Sequence, residues 1–160
     1  PAAIVTAFRG DGKGAFKKAS EQSLSVPMGP HFVTLADVNN DQRLDIVTSH
    51  SSNQLSVLLN GGAGKFAPAP ASPYDLGTEA FAVAVAEVNQ DKRNDIVAAT
   101  VDSVTVLLGG GNGFIPAPGS PFRAGPGAYN LAIGDVNRDG KLDVVASSFE
   151  GDAVTVLLGR

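Results

Sequence analysis

The sequence predicts an all-β fold made of β-propeller blades, about three four-stranded blades per chain. Three observations lead there. Self-similarity recurs at about 50 residues, the apolar runs are short and β-branched, and Gly, Pro, Asn and Asp punctuate them. The repeat has two independent markers. Asp37, Glu87 and Asp135 open matching acidic stretches, spaced by 50 and 48 residues, and Phe16, Phe66 and Phe114 follow glycine-rich turns at the same spacings. The apolar runs alone also allow a solenoid or a β-sandwich, but a sandwich would not repeat in register three times.

Each unit reads in the same order. "FVTLADV", "AVAVAEV" and "NLAIGDV" predict a first strand that runs into an acidic loop. "DIVTS", "DIVAAT" and "DVVASS" predict the second strand, and "LSVLL", "VTVLL" and "VTVLL" the third. A Gly-rich turn follows, then a Pro-rich segment ("APAPASPYDLG", "IPAPGSPFRAG") that suits an outer edge strand, because Pro cannot donate to a ladder on both sides. The chain is read as one domain, 1–160, with repeats at about 1–30 (partial), 31–79, 80–128 and 129–160 (partial). The N-terminal part supplies third and fourth strands ("AIVTAF" near 3–8, then a strand after Phe16), and the last repeat supplies strands one to three. Complete blades begin near Phe32 and Phe81, and the segment around 16–26 is of the outer type that the last blade lacks. Three blades are too few for the usual ring of four to eight. Closure is expected by oligomerisation, a homodimer being favoured, or by sequence beyond these residues, the chain being then a segment of a longer propeller.

Composition narrows the function. A net charge of −4 gives nucleic-acid binding no electrostatic support, and the basic group Arg9, Lys13, Lys17 and Lys18 reads as solvated surface. There is no cysteine, so disulfides and thiolate metal sites are excluded. No apolar run approaches the ~18 residues of a membrane span, so membrane insertion is not expected. The chain opens on Pro1 without a Met and is read as a mature or excised segment whose targeting signal lies outside it.

The acidic loop is the informative motif. In "DVNRDGKLDVV", positions 1, 3, 5 and 9 are Asp135, Asn137, Asp139 and Asp143, with Gly140 at position 6. Calcium takes six to eight oxygens, and alternate side chains on a tightly turned loop can converge on it, with the carbonyl of Lys141 adding another. Position 12 is Ala146 where an EF-hand needs a bidentate Glu, and the flanks are strand-like. The loop is neither an EF-hand nor a dockerin.

The pattern D-x-N-x-D-G-x-x-D-[IV]-V between strands, followed by "VTVLLGGGNGF", resembles the FG-GAP/VCBS repeats of integrin-α-like β-propellers. The resemblance covers nearly the whole chain. It implies Ca²⁺ in the loop between the first and second strands of each blade, up to three per chain, in an extracellular or cell-surface protein working in adhesion or ligand binding. Carried over residue by residue, the third copy matches fully. The first copy has Asp37, Asn39, Asp41 and Asp45, with the Arg43 carbonyl, but Gln42 where glycine is expected. The second has Asn89, Asp91 and Asp95, with the Arg93 carbonyl, but Glu87 at position 1 and Lys92 at position 6. A non-Gly residue with positive φ is strained and Glu lengthens the first ligand arm, so site three should be tightest and site two weakest or empty. The bland alternative is three acidic turns without metal. Against it, nine of the 16 acidic residues occupy positions 1, 5 and 9, a clustering that costs repulsion unless a cation or proton neutralises it.

Other features carry less. Arg9-Gly10-Asp11 aligns with "LLNGGAGKF" and reads as a hairpin turn rather than an adhesion tripeptide. His31 and His50 share no metal spacing, Ser120 in "PGSPF" is no nucleophile elbow, and the acidic residues outside the loops show no repeated pairing. An enzyme is not expected. Six residues before each loop lie His31, Phe81 and Tyr129, at the start of the innermost strands, where they form a candidate ligand surface for a sugar or peptide or else pack as strand ends. The expected function is a calcium-stabilised extracellular binding or scaffold module with a protein or glycan ligand. A lectin of the same fold, or an auxiliary domain of a secreted carbohydrate-active enzyme, are the alternatives.

Overall fold

The computed structural model of the chain describes residues 3–18 and 24–160. These form seventeen strands and no helix. The N-terminal part holds β1 (Ala3–Val5), β2 (Phe8–Gly10), β3 (Phe16–Lys18) and β4 (Leu24–Val26), with β1 paired to β4 and β2 to β3. The first complete blade has β5 (Pro30–Ala36), β6 (Asp45–His50) and β7 (Gln54–Asn60) as antiparallel neighbours. Its outer edge is split between β8 (Phe66–Pro68) and β9 (Tyr74–Asp75), both paired to β7. The second blade repeats this with β10 (Ala80–Ala86), β11 (Asp95–Thr100), β12 (Ser103–Gly110), β13 (Gly113–Pro116) and β14 (Phe122–Arg123). The third has β15 (Ala128–Gly134), β16 (Asp143–Ser148) and β17 (Ala153–Leu157).

The blade order is the predicted one, with two differences. The fourth strand is two short pieces rather than one, because Pro68, Pro70 and Pro73 remove the N–H groups that would keep it on the ladder. The N-terminal strand of the third kind, "AIVTAF", is likewise broken, into β1 and β2, which take the places that the two halves of β7 hold in the next blade. The predicted outer segment at 16–26 is seen as β3 and β4; its middle, 19–23, lies outside the described residues.

Second strands are buried on both faces, as the continuous apolar runs require. Every residue of β6 and β11 is buried. Side chains alternate between two interfaces. Ile46 packs towards Leu24 and Val26 of the N-terminal part, while the next residue, Val47, joins Leu55, Val57, Ile96 and Leu107 between the two complete blades. Val97, Val104 and Val106 then meet Val144 and Ala146 of the third blade. Each fully buried Val, Leu or Ile contributes about 1.5–3 kcal/mol by leaving water. The innermost strands β5, β10 and β15 lie side by side, which places blade ends of one kind next to each other. That arrangement builds both candidate sites.

Candidate functional site

The three acidic loops follow β5, β10 and β15, at one end of the blades. Their backbones match: position 4 (Asn40, Gln90, Arg138) and position 6 (Gln42, Lys92, Gly140) all have positive φ. Only at Gly140 is that conformation free of Cβ strain.

In loop one the Asp41 N–H donates to both Asp37 Oδ1 and Asn39 Oδ1, at 3.0 and 3.1 Å. The side-chain oxygens at positions 1 and 3 therefore already converge on the loop interior. Loop three is the same, with the Asp139 N–H donating to Asp135 Oδ1 and Asn137 Oδ1. The position-6 amide closes the turn, from Gln42 or Gly140 to the second oxygen of the first Asp. Loop two departs from this. Glu87, one methylene longer, uses a single oxygen, Oε1, for the amides of Asn89 and Asp91.

Position 9 has a second role that spacing did not reveal. Asp45, Asp95 and Asp143 are fully buried, and each bridges two strands' ends. One oxygen accepts from the amide of position 2 (Val38, Val88, Val136), the other from the amide that follows the Leu-Leu pair of the third strand (Asn60, Gly109, Gly159). Burial raises the pKa of Asp45 and Asp95 above the ordinary value, against those amide bonds, with the carboxylates at positions 1 and 5 adding to the rise. Asp139 is held below it, chiefly by the Lys141 N–H and then by Asn137. Among the described residues, no three His, Cys, Asp or Glu side chains form a metal-holding group as arranged, since the loop carboxylates face backbone amides. The donor chemistry nonetheless fits a hard cation: each loop offers three carboxylates, an amide oxygen and a carbonyl, and an oxygen that accepts one N–H keeps a lone pair.

Loops one and two contain contacts that loop three lacks a residue to make. Arg43 donates from Nη2 to Asp41 Oδ2 (2.5 Å) and from Nε to the Asn60 carbonyl (2.7 Å); Arg93 does the same to Asp91 (2.6 Å) and Gly109 (2.8 Å). The two loops are also stapled together. Asn94 donates to the Asp37 carbonyl at 2.7 Å, and Asn40 donates to the Lys92 carbonyl at 2.8 Å. Asn94 occupies position 8, where the other copies have Leu44 and Leu142, and that break in the repeat was its only sequence signal.

The opposite end of the blades carries the aromatic set. His31, Phe81 and Tyr129 each sit at a β-bulge, in the register shifts between Pro30 and Phe32, Ala80 and Ala82, and Ala128 and Asn130. A bulge re-aims its side chain. The three rings form a row across three blades: His31 stacks on Phe81 at 5.7 Å, and Phe81 meets Tyr129 at 4.4 Å. Two members were not foreseen. Phe149 extends the row edge-on to Tyr129 at 5.8 Å, and Glu79 lies 3.3 Å from His31 Nε2. Both lie outside the six-residue offset that found the others.

The remaining sequence features resolve plainly. Arg9, Gly10 and Asp11 lie in the β2–β3 hairpin, where Asp11 accepts from the amides of Lys13 and Ala15. His50 is buried, with Nε2 against Thr48 Oγ1 (2.7 Å) and Ser56 Oγ (3.1 Å). Ser120 is structural, its Oγ accepting from the Val106 amide as Ser72 Oγ does from Val57.

Three overlapping segments, 3–48, 37–98 and 87–146, match the family profile described as FG-GAP-like repeat. No curated protein matches the chain.

Proposed function

Because the chain belongs to the FG-GAP-like repeat family, we propose that this β-propeller-type module is a calcium-stabilised, non-catalytic binding domain working outside the cell. Asp37, Asn39, Asp41 and Asp45 would hold one ion with the Arg43 carbonyl. Glu87, Asn89, Asp91, Asp95 and the Arg93 carbonyl would hold a second. Asp135, Asn137, Asp139, Asp143 and the Lys141 carbonyl would hold a third. The ions would neutralise clustered carboxylates and tie the first strand's end to the second.

The single observation behind a binding role is the aromatic row. Three bulges in three blades aim three rings at one line, and Tyr129 and Phe149 at its end are 44% and 77% exposed. A protein or peptide ligand suits it best, since His31, Phe81 and Tyr129 spend part of their faces on one another. A lectin is the second reading, favoured by the exposed Phe149 ring, on which a sugar can stack. The test is a glycan array and a peptide-display selection, each run on the chain and on Phe81→Ala/Tyr129→Ala. Ligands that bind both forms equally refute the row as the site.

The outer edge of β17 carries no fourth strand among the described residues, whereas β7 and β12 each pair with two outer pieces. Val154, Val156 and Leu158 beside it are exposed. Such an edge invites pairing. A second copy, giving a homodimer, or further propeller sequence would cover it, and light scattering on the 160-residue chain separates the two.

A further inference from the structure

We propose that Arg43 and Arg93 act as built-in cations that relieve loops one and two of a strict calcium requirement, leaving loop three as the calcium-dependent one. The inference rests on the reading of the loops as calcium sites and adds a division of labour among them. Its basis is a contact made twice. Each guanidinium reaches the central carboxylate of its own loop through Nη2 and, through Nε, the carbonyl that follows the Leu-Leu pair near the end of the third strand. It thereby ties the loop to the end of the third strand and sets its charge against the central carboxylate that a bound ion would neutralise. The planar fork of Arg makes both bonds at once. Lys141, at the same place in loop three, carries one ammonium and no fork.

Two consequences follow. Without calcium, loops one and two each keep a positive charge against their middle carboxylate. With calcium, Asp41 and Asp91 must share or surrender an oxygen already committed to Arg, so the ion binds there at a cost that loop three does not bear. Glycine at position 6 and Arg at position 7 thus rank the sites in the same direction. The Asn40–Asn94 staple holds the two arginine-bearing loops as a pair, and Leu142 cannot extend it to loop three.

The test uses the full chain, Arg43→Met/Arg93→Met, which keeps the apolar stems without the charge, and Lys141→Arg, which supplies the fork to loop three. Calcium uptake is read by titration calorimetry after chelation, and thermal midpoints are read in chelator. For the double variant, two sites should tighten by about two- to fivefold, the range of a partly exposed ion pair, while the midpoint in chelator falls. Lys141→Arg should weaken one site and raise the midpoint in chelator. Calcium uptake by the unsubstituted chain, with the double variant's sites unchanged or weakened, overturns this proposal alone. A double variant that does not fold shifts the decision to Lys141→Arg, whose unchanged third site has the same meaning. No calcium uptake by any form overturns the parent reading and this inference together.

Discussion

Replacing a buried position-9 carboxylate such as Asp95 should cost more than replacing a carboxylate at position 1 or 5, and in chelator its cost is independent of metal. The carboxylate is fully buried and accepts from the Val88 amide at 2.9 Å and the Gly109 amide at 2.8 Å. Asp95→Ala removes both acceptors and leaves the buried Gly109 amide and the partly buried Val88 amide without a protein partner. An unsatisfied buried N–H costs about 1–3 kcal/mol, so the pair costs about 2–6 kcal/mol. Against a total stability of about 5–15 kcal/mol, that is a large fraction. Asp95→Asn keeps one oxygen and turns an NH₂ on the other amide, so it should lose about 1–3 kcal/mol, roughly half as much. Denaturant unfolding in chelator measures both, read from the midpoint at constant slope. A loss below about 0.5 kcal/mol for Asp95→Ala, the range of ordinary surface changes, would refute the bridging role.

Further outcomes follow from the same geometry. In calcium, Asp139→Ala should destabilise more than Asp91→Ala, since loop three has the glycine and the shorter first arm; in chelator the order should reverse, because Asp91→Ala also breaks the Arg93 pair. Paired thermal melts check this, and an order that ignores calcium contradicts it. His50 gives a pH signature. Burial lowers its pKa below 6.5, with the His31 charge adding and the Pro27 carbonyl opposing. The folded state thus favours the neutral ring, so its contribution is whole above pH 6.5 and declines as the pH falls below that value towards the lower folded one. Midpoints between pH 7.5 and pH 5 should fall for the chain and fall less for His50→Gln; equal slopes would contradict the assignment.

What the sequence made legible was local or periodic. Short runs rich in Val, Leu and Ile and bounded by Gly, Asn and Asp marked the strands, and alternate oxygens located the loops. The −6 offset brought out His31, Phe81 and Tyr129 because each blade repeats the same bulge. What stayed hidden depends on contacts that no period carries. The second amide that each of Asp45, Asp95 and Asp143 satisfies lies 14 to 16 residues downstream, at or just past the end of the third strand. Arg43 and Arg93 were read for their carbonyls, yet their side chains make the distinctive bonds. Asn94 meets Asn40 across 54 residues and a blade boundary, and Phe149 joins the aromatic row from a turn that the other blades do not match. The outer strand was foreseen as an edge, but where its prolines would break it depends on which N–H groups the ladder needs.

The central claim, that calcium stabilises this module, is tested most directly by the thermal midpoint of the unsubstituted chain in millimolar calcium and in chelator. A site saturated at a hundredfold excess over Kd adds about 2.7 kcal/mol. At about 2–4 °C per kcal/mol for a chain of this size, the midpoint should rise by about 5–11 °C for one such site, and by more if loops one and two also fill. A midpoint that is the same in both conditions contradicts the account.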